Sequence, residues 1–360
     1  MKTHLQNQQR YTRQLNLPQV GEGGQEKLAQ AKVLVVGAGG LGCAVLPYLV
    51  AAGIGTLGII DGDVVEVSNL HRQVLYTDQD IGKKKVIAAK EKLQTQNPTV
   101  AIQVYPEFLN GDNALNIFTE YDIILDATDR IGIRYLINDA CVLCDKPFVY
   151  GSVYRFEGQV SVFNYENRPT YRCLFPNEKG QVQSCAEVGV MGTTVGLIGM
   201  FQANEVIKMI LGVGEILSGK LLMYNALTHR QEVFKFVKNE SLKITKKFFE
   251  AKYRKVSVEK IAAADALRSD GILLDIREIG ESPELDTLQI PLSTLENNFD
   301  KLKKDQPIFT FCQSGKRSFQ AAAMLLRNGF QQVKSIKEGA TNIKELLQSS
   351  ERKTKENQTV

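Results

Sequence analysis

The sequence of 360 residues predicts an α/β protein in two parts: a doubly wound, largely parallel sheet with an antiparallel extension, then a smaller α/β unit. Three features of the pattern carry this. Up to Gly151, short β-branched runs alternate with helix-patterned segments, the rhythm of parallel strands joined by crossovers. Beyond Gly151 the alternation becomes period two, which suits antiparallel strands with one covered face. Past a stretch dense in Lys and Glu at residues 238–255, a fresh strand–helix alternation begins.

The elements follow in order. Residues 32–36 (KVLVV) are an apolar run of strand length, ended by Gly37. Residues 40–52 have helical spacing, although Pro47 should kink the axis or start a second segment, because it donates no hydrogen bond. Strand composition recurs at 55–60, 101–105, 122–127 and 148–151, with helices at 83–96 and 134–144 between. Residues 158–165 alternate, a loop with Pro and Cys follows, and a long apolar helix is expected over 195–211. Strands at 221–225 and 232–237 complete the extension, so the first domain spans 1–240 and 241–255 reads as a solvated linker. In the second domain, 256–348, the pattern predicts a helix at 258–269, strands at 272–276 and 308–312, a helix at 318–328 and a strand at 333–336. The tail SSERKTKENQTV, residues 349–360, offers almost nothing to bury and reads as disordered.

Composition narrows the function classes. A net charge of +4 over this length is too weak for a dedicated nucleic-acid binder. The N-terminus lacks the apolar core and small-residue cleavage site of a secretory signal. The uncharged run 188–204 is interrupted by Gly, Thr and Gln and falls short of a membrane span. The wider segment 188–211 is apolar over more than one helical face, which suits a homodimer contact. Six cysteines, scattered through a chain that is 43% hydrophobic, read as reduced thiols rather than a disulfide scaffold. A cytoplasmic protein with no membrane or nucleic-acid partner is expected.

VLVVGAGGLG places Gly37, Gly39 and Gly42 in G-x-G-x-x-G spacing between a strand and a helix, and Asp61 ends the next strand where a ribose-binding carboxylate belongs. The glycines let the backbone approach a phosphate, and the helix N-terminus supplies N–H donors. An NAD-dependent oxidoreductase and an ATP-using enzyme both satisfy that pattern. The ATP reading is favoured by Ser68-Asn69-Leu70-His71-Arg72-Gln73, by Lys83-Lys84-Lys85, and by Asp126-Ala127-Thr128-Asp129. Attack of a carboxylate on the α-phosphate, with loss of pyrophosphate, needs fixed cations and a metal to hold spread negative charge; hydride transfer does not.

Together RYTRQ (10–14), GAGGLG, DGD, SNLHRQ, IGKKK, DATD, EGQVSVF, YRCLFP and SCAEVGVMG resemble the molybdopterin-synthase adenylyltransferase and ThiF family, relatives of the ubiquitin-activating enzymes, over residues 5–236. The resemblance implies a Rossmann-like adenylating domain that uses ATP and Mg²⁺ to adenylate the C-terminal Gly-Gly carboxylate of a small ubiquitin-like sulfur-carrier protein. It implies that Gly40 and Asp61 bind the nucleotide, that Ser68, Asn69 and Arg72 contact it, and that Lys85 meets the phosphates. It further implies that Asp129 holds Mg²⁺ and that Arg13 reaches the site of the neighbouring subunit of a homodimer. The family usually has Asn where Arg130 stands, so the phosphate or metal surroundings differ here.

Many relatives hold a structural zinc on two Cys-x-x-Cys pairs. Here Thr170 replaces the first thiol of the pair ending in Cys173, and no cysteine lies between Cys185 and Cys312, so no structural zinc is expected. Cys141 and Cys144 lie in a helical apolar segment and read as core. The resemblance makes Cys185 the thiol that links to the carrier or resolves an acyl disulfide.

FCQSGKRS sets Cys312 at a strand end before a helix, where turn amides, the helix dipole, Lys316 and Arg317 would lower the thiol pKa and hold an anion. C-x-x-G-x-R-S, with Leu274-Asp275-Ile276-Arg277-Glu278 upstream, resembles the rhodanese active-site loop and its DVRE element over residues 257–347. This implies a smaller α/β rhodanese-like domain in which Cys312 carries a persulfide and Arg317 serves the loop. The segment 281–291 lacks the Gly-His-Ile-x-Gly-Ala element, and no Trp follows Ala340, which trims the pocket. A phosphatase is the rival for such a loop, but the spacing suits a sulfur donor better. The expected function is adenylation of a carrier followed by sulfur transfer to a thiocarboxylate, with a cysteine desulfurase as a possible donor. A non-catalytic scaffold for ubiquitin-like proteins is the alternative.

Overall fold

A computed structural model describes residues 2–178, 189–253, 256–281 and 283–357, with side chains described within 9–349. The chain forms two compact units, Met1–Phe249 and Glu250–Val360.

In the first unit, the apolar runs form β1 (Lys32–Val36), β2 (Thr56–Ile60), β3 (Ala101–Tyr105), β4 (Ile123–Asp126), β5 (Phe148–Tyr154), β6 (Glu157–Phe163), β7 (Lys220–Asn225) and β8 (Gln231–Lys235). They lie in the order β3-β2-β1-β4-β5-β6-β7-β8, parallel through β5 and antiparallel beyond it. Val36 stands level with Ile60 on one side and Asp126 on the other. The residues that follow these three strands therefore emerge together, at the point where strand order reverses and ligands of such sheets bind.

The helices of this unit are α1 (Lys2–Leu15), α2 (Gly21–Gln30), α3 (Gly40–Ala52), α4 (Lys85–Gln96), α5 (Ala114–Phe118), α6 (Ile131–Cys144), α7 (Tyr171–Leu174), α8 (Gly192–Leu211) and α9 (Lys246–Tyr253). Helix α3 runs unbroken through Pro47. Helix α8 is long and apolar enough to cross a membrane by composition, yet it packs as a core helix: a Cβ on Gly199 would lie 2.6 Å from Ala44 of α3. Its Gln202 donates to the Asp126 carbonyl at 2.7 Å, tying α8 to the end of β4.

Helices α1 and α2 have few apolar residues and are also held by polar contacts: Gln14 and Gln25 both donate to the Ala52 carbonyl, at 3.2 and 3.0 Å, and Arg10 to that of Gln96 at 2.9 Å. Tyr11 and Leu28 are buried, and the Tyr11 hydroxyl accepts from Asn97 at 2.8 Å. Within the stretch expected to be a solvated linker, α9 buries Phe249.

The second unit holds β9 (Glu259–Ile261), β10 (Ile272–Asp275), β11 (Leu288–Gln289), β12 (Ile308–Phe311) and β13 (Val333–Ile336), with α10 (Ala263–Arg268), α11 (Lys316–Arg327) and α12 (Ala340–Asn357). Its sheet is wholly parallel in the order β11-β10-β12-β13-β9. Two expectations are corrected. The helix expected over 258–269 begins only at Ala263, because Glu259–Ile261 pair with β13 at the sheet edge. The tail expected to be disordered is helical to Asn357, continuing a helix whose first turn is anchored by buried Ala340 and Ile343 through residues of good helix propensity.

Candidate functional site

The turn after β1 is closed around its glycines. Gly37 has φ +102°, and a Cβ there would meet the Ala127 carbonyl at 2.7 Å; one on Gly42 would meet the Gly37 carbonyl at 2.3 Å. Gly40 is crowded by Val195 of α8 at 2.7 Å, with Arg72 close behind, whereas Gly39 meets nothing nearer than 3.7 Å. The close approaches at Gly37, Gly40 and Gly42 leave no room for side chains there. Asp61 accepts from the Ala38 amide with one oxygen and from the Asp63 amide with the other, each at 2.8 Å, so it clasps the turn. The Tyr76 hydroxyl, which sequence reasoning missed, donates to the Ala38 carbonyl at 2.9 Å.

The expected basic and polar residues gather beside this turn. Ser68 and Asn69 lie in a single 3₁₀ turn, and the Asn69 amide donates to the Ser68 hydroxyl. Arg72 donates to the Ser68 carbonyl at 3.1 Å and touches the His71 ring at 2.7 Å, which holds its guanidinium without burying it. Lys85, buried at the start of α4, reaches Asp63 at 3.2 Å. Asp129 is exposed just beyond β4. Arg130 is laid over the Phe108 ring, 5.7 Å from its centroid. Arg13 is exposed in the last turn of α1, and Cys185 lies outside the described residues.

Asp126, the first residue of the DATD motif, pairs beneath the turn with an arginine that the motifs did not single out. Asp126 is fully buried and accepts from the Thr128 amide and hydroxyl at 2.9 and 2.7 Å. Arg134 stands 3.6 Å from its other oxygen and donates to the Thr128 carbonyl at 3.1 Å. Burial pushes the Asp126 carboxyl above its ordinary range, and Arg134 with the Thr128 bonds opposes this. The same Arg134 lines a cavity of about 420 Å³ walled by Tyr135, Tyr150, Tyr171 and Phe175, on the antiparallel side of the sheet. The signal for this pair was Arg134 itself, eight residues after Asp126 and one helical turn into α6.

Among the described residues Cys173 has no thiol partner. Its sulfur contacts the Thr170 hydroxyl at 3.4 Å and accepts from the Asn239 amide at 3.3 Å. One sulfur among neutral donors does not make a four-ligand zinc site. Among the described residues no group of three His, Cys, Asp or Glu is placed to hold a metal.

In the second unit, Cys312 is buried at the end of β12. Its sulfur accepts from the Gly315 amide at 3.1 Å and the Ser318 amide at 3.4 Å, and Gly315 takes φ +77° to bring the loop round. Burial raises the thiol pKa, but the amides of Ser318, Ser314 and Gly315 and the Ser318 hydroxyl outweigh it, so the net shift is downward and the thiolate is favoured. Lys316 is exposed. Arg317 is not open to an anion: both ends of its fork are taken by Glu281, at 2.5 and 2.7 Å.

Residues 11–244 match the model of the ThiF family, and residues 262–346 match that of the rhodanese-like domain. The chain is 52% identical over 225 residues to the sulfur carrier protein adenylyltransferase of Thermus thermophilus, covering 61% of this chain and 83% of that one. It is 36% identical over 379 residues to the adenylyltransferase and sulfurtransferase MOCS3 of Arabidopsis thaliana, covering 91% of this chain and 81% of that one. Among solved structures, PaaA is similar with a TM-score of 0.56 at 26% identity, over 65% of this chain and 75% of that one. Escherichia coli MccB has a TM-score of 0.58 at 22% identity over 66% and 74%, which shows the shared fold.

Proposed function

The chain belongs to the ThiF family and carries a rhodanese-like domain, and from that premise we propose that it adenylates the C-terminal glycine of a small ubiquitin-like sulfur-carrier protein with ATP and then replaces AMP by sulfur from Cys312. The observation that carries this is that the glycine-rich turn after β1 is clasped by Asp61, flanked by Arg72 at Gly40 and linked through Asp63 to Lys85. A carrier carboxylate oxygen forms a bond to the α-phosphorus as the bond to the β-phosphate oxygen breaks, and pyrophosphate leaves. Arg72 and Lys85 supply the cations that this charge transfer needs.

Mg²⁺ suits a site with one exposed protein carboxylate and the substrate phosphates, and Asp129 would hold it, neutralising the developing phosphate charge. The slim Gly-Gly tail of the carrier would thread the aromatic cavity, whose Arg134 attracts its carboxylate toward the turn. In the second step the terminal sulfur of a Cys312 persulfide attacks the acyl carbon and AMP leaves, giving an acyl disulfide. A thiol, for which Cys185 is our candidate, then attacks the Cys312 sulfur; the S–S bond breaks, the thiocarboxylate departs, and a protein disulfide remains for an external reductant. A cysteine desulfurase would reload the persulfide, and the reduced thiols fit a cytoplasmic setting. Carrier-dependent ATP–pyrophosphate exchange tests the first step: its absence with every Gly-Gly carrier tried would leave a scaffold role.

From the family resemblance we expect Arg13, exposed on α1, to serve the partner's site in a homodimer. Arg13→Ala and Arg72→Ala should each lose exchange. Mixing the two after dissociation should restore about a quarter of wild-type activity, since half of random dimers then contain one intact site of two. No recovery, or only a 40.1 kDa monomer at micromolar concentration in sedimentation equilibrium, would refute this.

The surroundings of Cys173 lead to a second expectation, that the purified protein carries no stoichiometric zinc. Elemental analysis finding one zinc per chain that survives dialysis against a chelator would contradict it.

A further inference from the structure

The geometry points to Glu281 as the residue that sets which sulfur donors Cys312 accepts: its carboxylate fills the fork of Arg317, so a dianion such as thiosulfate is disfavoured against a persulfide. This rests on the persulfide-carrying role proposed above for Cys312.

An arginine fork binds two oxygens side by side, and that capacity is what a rhodanese-type loop would offer to the sulfonate end of thiosulfate. Here both positions are already used, with Arg317 Nη1 and Nη2 at 2.5 and 2.7 Å from the two Glu281 oxygens. The carboxylate is not a loose surface group. It also accepts from the Glu278 amide at 2.9 Å, and the Glu278 carbonyl is in turn held by Gln289 at 3.3 Å. A second carboxylate, that of Glu278, is fixed nearby by the Ser293 hydroxyl at 3.1 Å. A dianion approaching the loop must therefore displace one carboxylate from its partner and remain beside two. The side chains of Glu281 and Arg317 are each one-third exposed, so the pair guards the loop without sealing it.

The two donors ask different things of this gate. With thiosulfate, the Cys312 thiolate attacks the outer sulfur, the S–S bond breaks, and sulfite leaves with the electron pair and two negative charges. With cysteine persulfide, the thiolate attacks the terminal sulfur and cysteine leaves as a thiolate, so no dianion has to be seated on Arg317. The amides of Gly315 and Ser318 hold the Cys312 sulfur in both cases. Like-charge juxtaposition then acts on one donor far more than on the other.

The test uses the full chain with thiosulfate or cysteine persulfide as sole donor, and reads the rate at which Cys312 gains the mass of one sulfur atom. Glu281→Gln keeps the shape and removes the charge; Glu281→Asp keeps the charge. Glu281→Gln should shift the ratio of the two rate constants toward thiosulfate by about tenfold or more, and Glu281→Asp should shift it much less. An unchanged ratio in Glu281→Gln, or an equal shift in both variants, overturns the proposal. If the wild-type chain takes sulfur on Cys312 from neither donor, the sulfur-transfer reading itself fails, and the gate falls with it.

Discussion

Arg72→Ala is expected to reduce carrier-dependent ATP–pyrophosphate exchange by about 10²–10³-fold or more, the loss that follows when one preorganised charge partner of a transition state is removed. The structural cost should be small, because among the described residues the guanidinium binds the Ser68 carbonyl and the His71 ring at a half-open position. Asp129→Ala should fail in the same assay for a different reason, since it removes the exposed carboxylate expected to hold Mg²⁺. The two losses separate in a titration: raising Mg²⁺ should recover part of the Asp129→Ala activity and none of the Arg72→Ala activity. Both variants should unfold close to the wild-type temperature. Exchange at wild-type rates in either one would remove that residue from the nucleotide site.

Much of this site is local in the chain, which is why it could be read there. The apolar run of β1, the glycines behind it and Asp61 at the end of β2 lie within thirty residues, and their spacing encodes the turn directly. The long strands of both sheets were legible for a similar reason, being runs too apolar for anything but burial. What escaped depends on partners far away. Glu259–Ile261 is strand only because β13 offers an edge, and Leu288–Gln289 is a two-residue strand that no periodicity could announce. Helices α1 and α2 are held by the buried Tyr11 and Leu28 and by polar contacts to the Gln96 and Ala52 carbonyls, which leave no repeating apolar pattern.

The same divide runs through the functional residues. Cys312, Gly315 and Arg317 share one loop and were visible as a motif, but the occupant of Arg317 comes from 36 residues upstream. Arg134 was within reach of the DATD motif, yet its double duty, bracing Asp126 and lining the cavity, appears only once α6 is folded against β4. The sequence motif points to Asp61 only as a nucleotide ligand, whereas its bonds to the Ala38 and Asp63 amides, which shape the turn, appear only in the fold.

Cys312→Ser should leave exchange intact and abolish thiocarboxylate formation, because Cys312 lies in the rhodanese-like unit while every nucleotide contact proposed above lies in residues 1–249. Serine keeps the hydrogen bonds available from Gly315 and Ser318 but cannot carry a sulfane sulfur at neutral pH. The intact mass of the carrier is the readout: wild type with ATP and a persulfide donor should exchange one oxygen for sulfur, whereas the variant should yield carrier adenylate and then only hydrolysed carrier. Cys185→Ser should also spare exchange, but should stall after the acyl disulfide if that thiol resolves it, leaving carrier attached to the protein in non-reducing gels. The lowered pKa of Cys312 adds a pH signature. Its thiolate should persist to lower pH than that of a free cysteine, so alkylation of Cys312 by iodoacetamide should reach half its plateau rate at a lower pH than free cysteine does in the same buffer, while Cys43, raised to about 12 by burial, stays unreactive there. A Cys312→Ser chain that still makes thiocarboxylate from the same donor would show that sulfur reaches the adenylate by another route, and would reduce the second domain to a binding module.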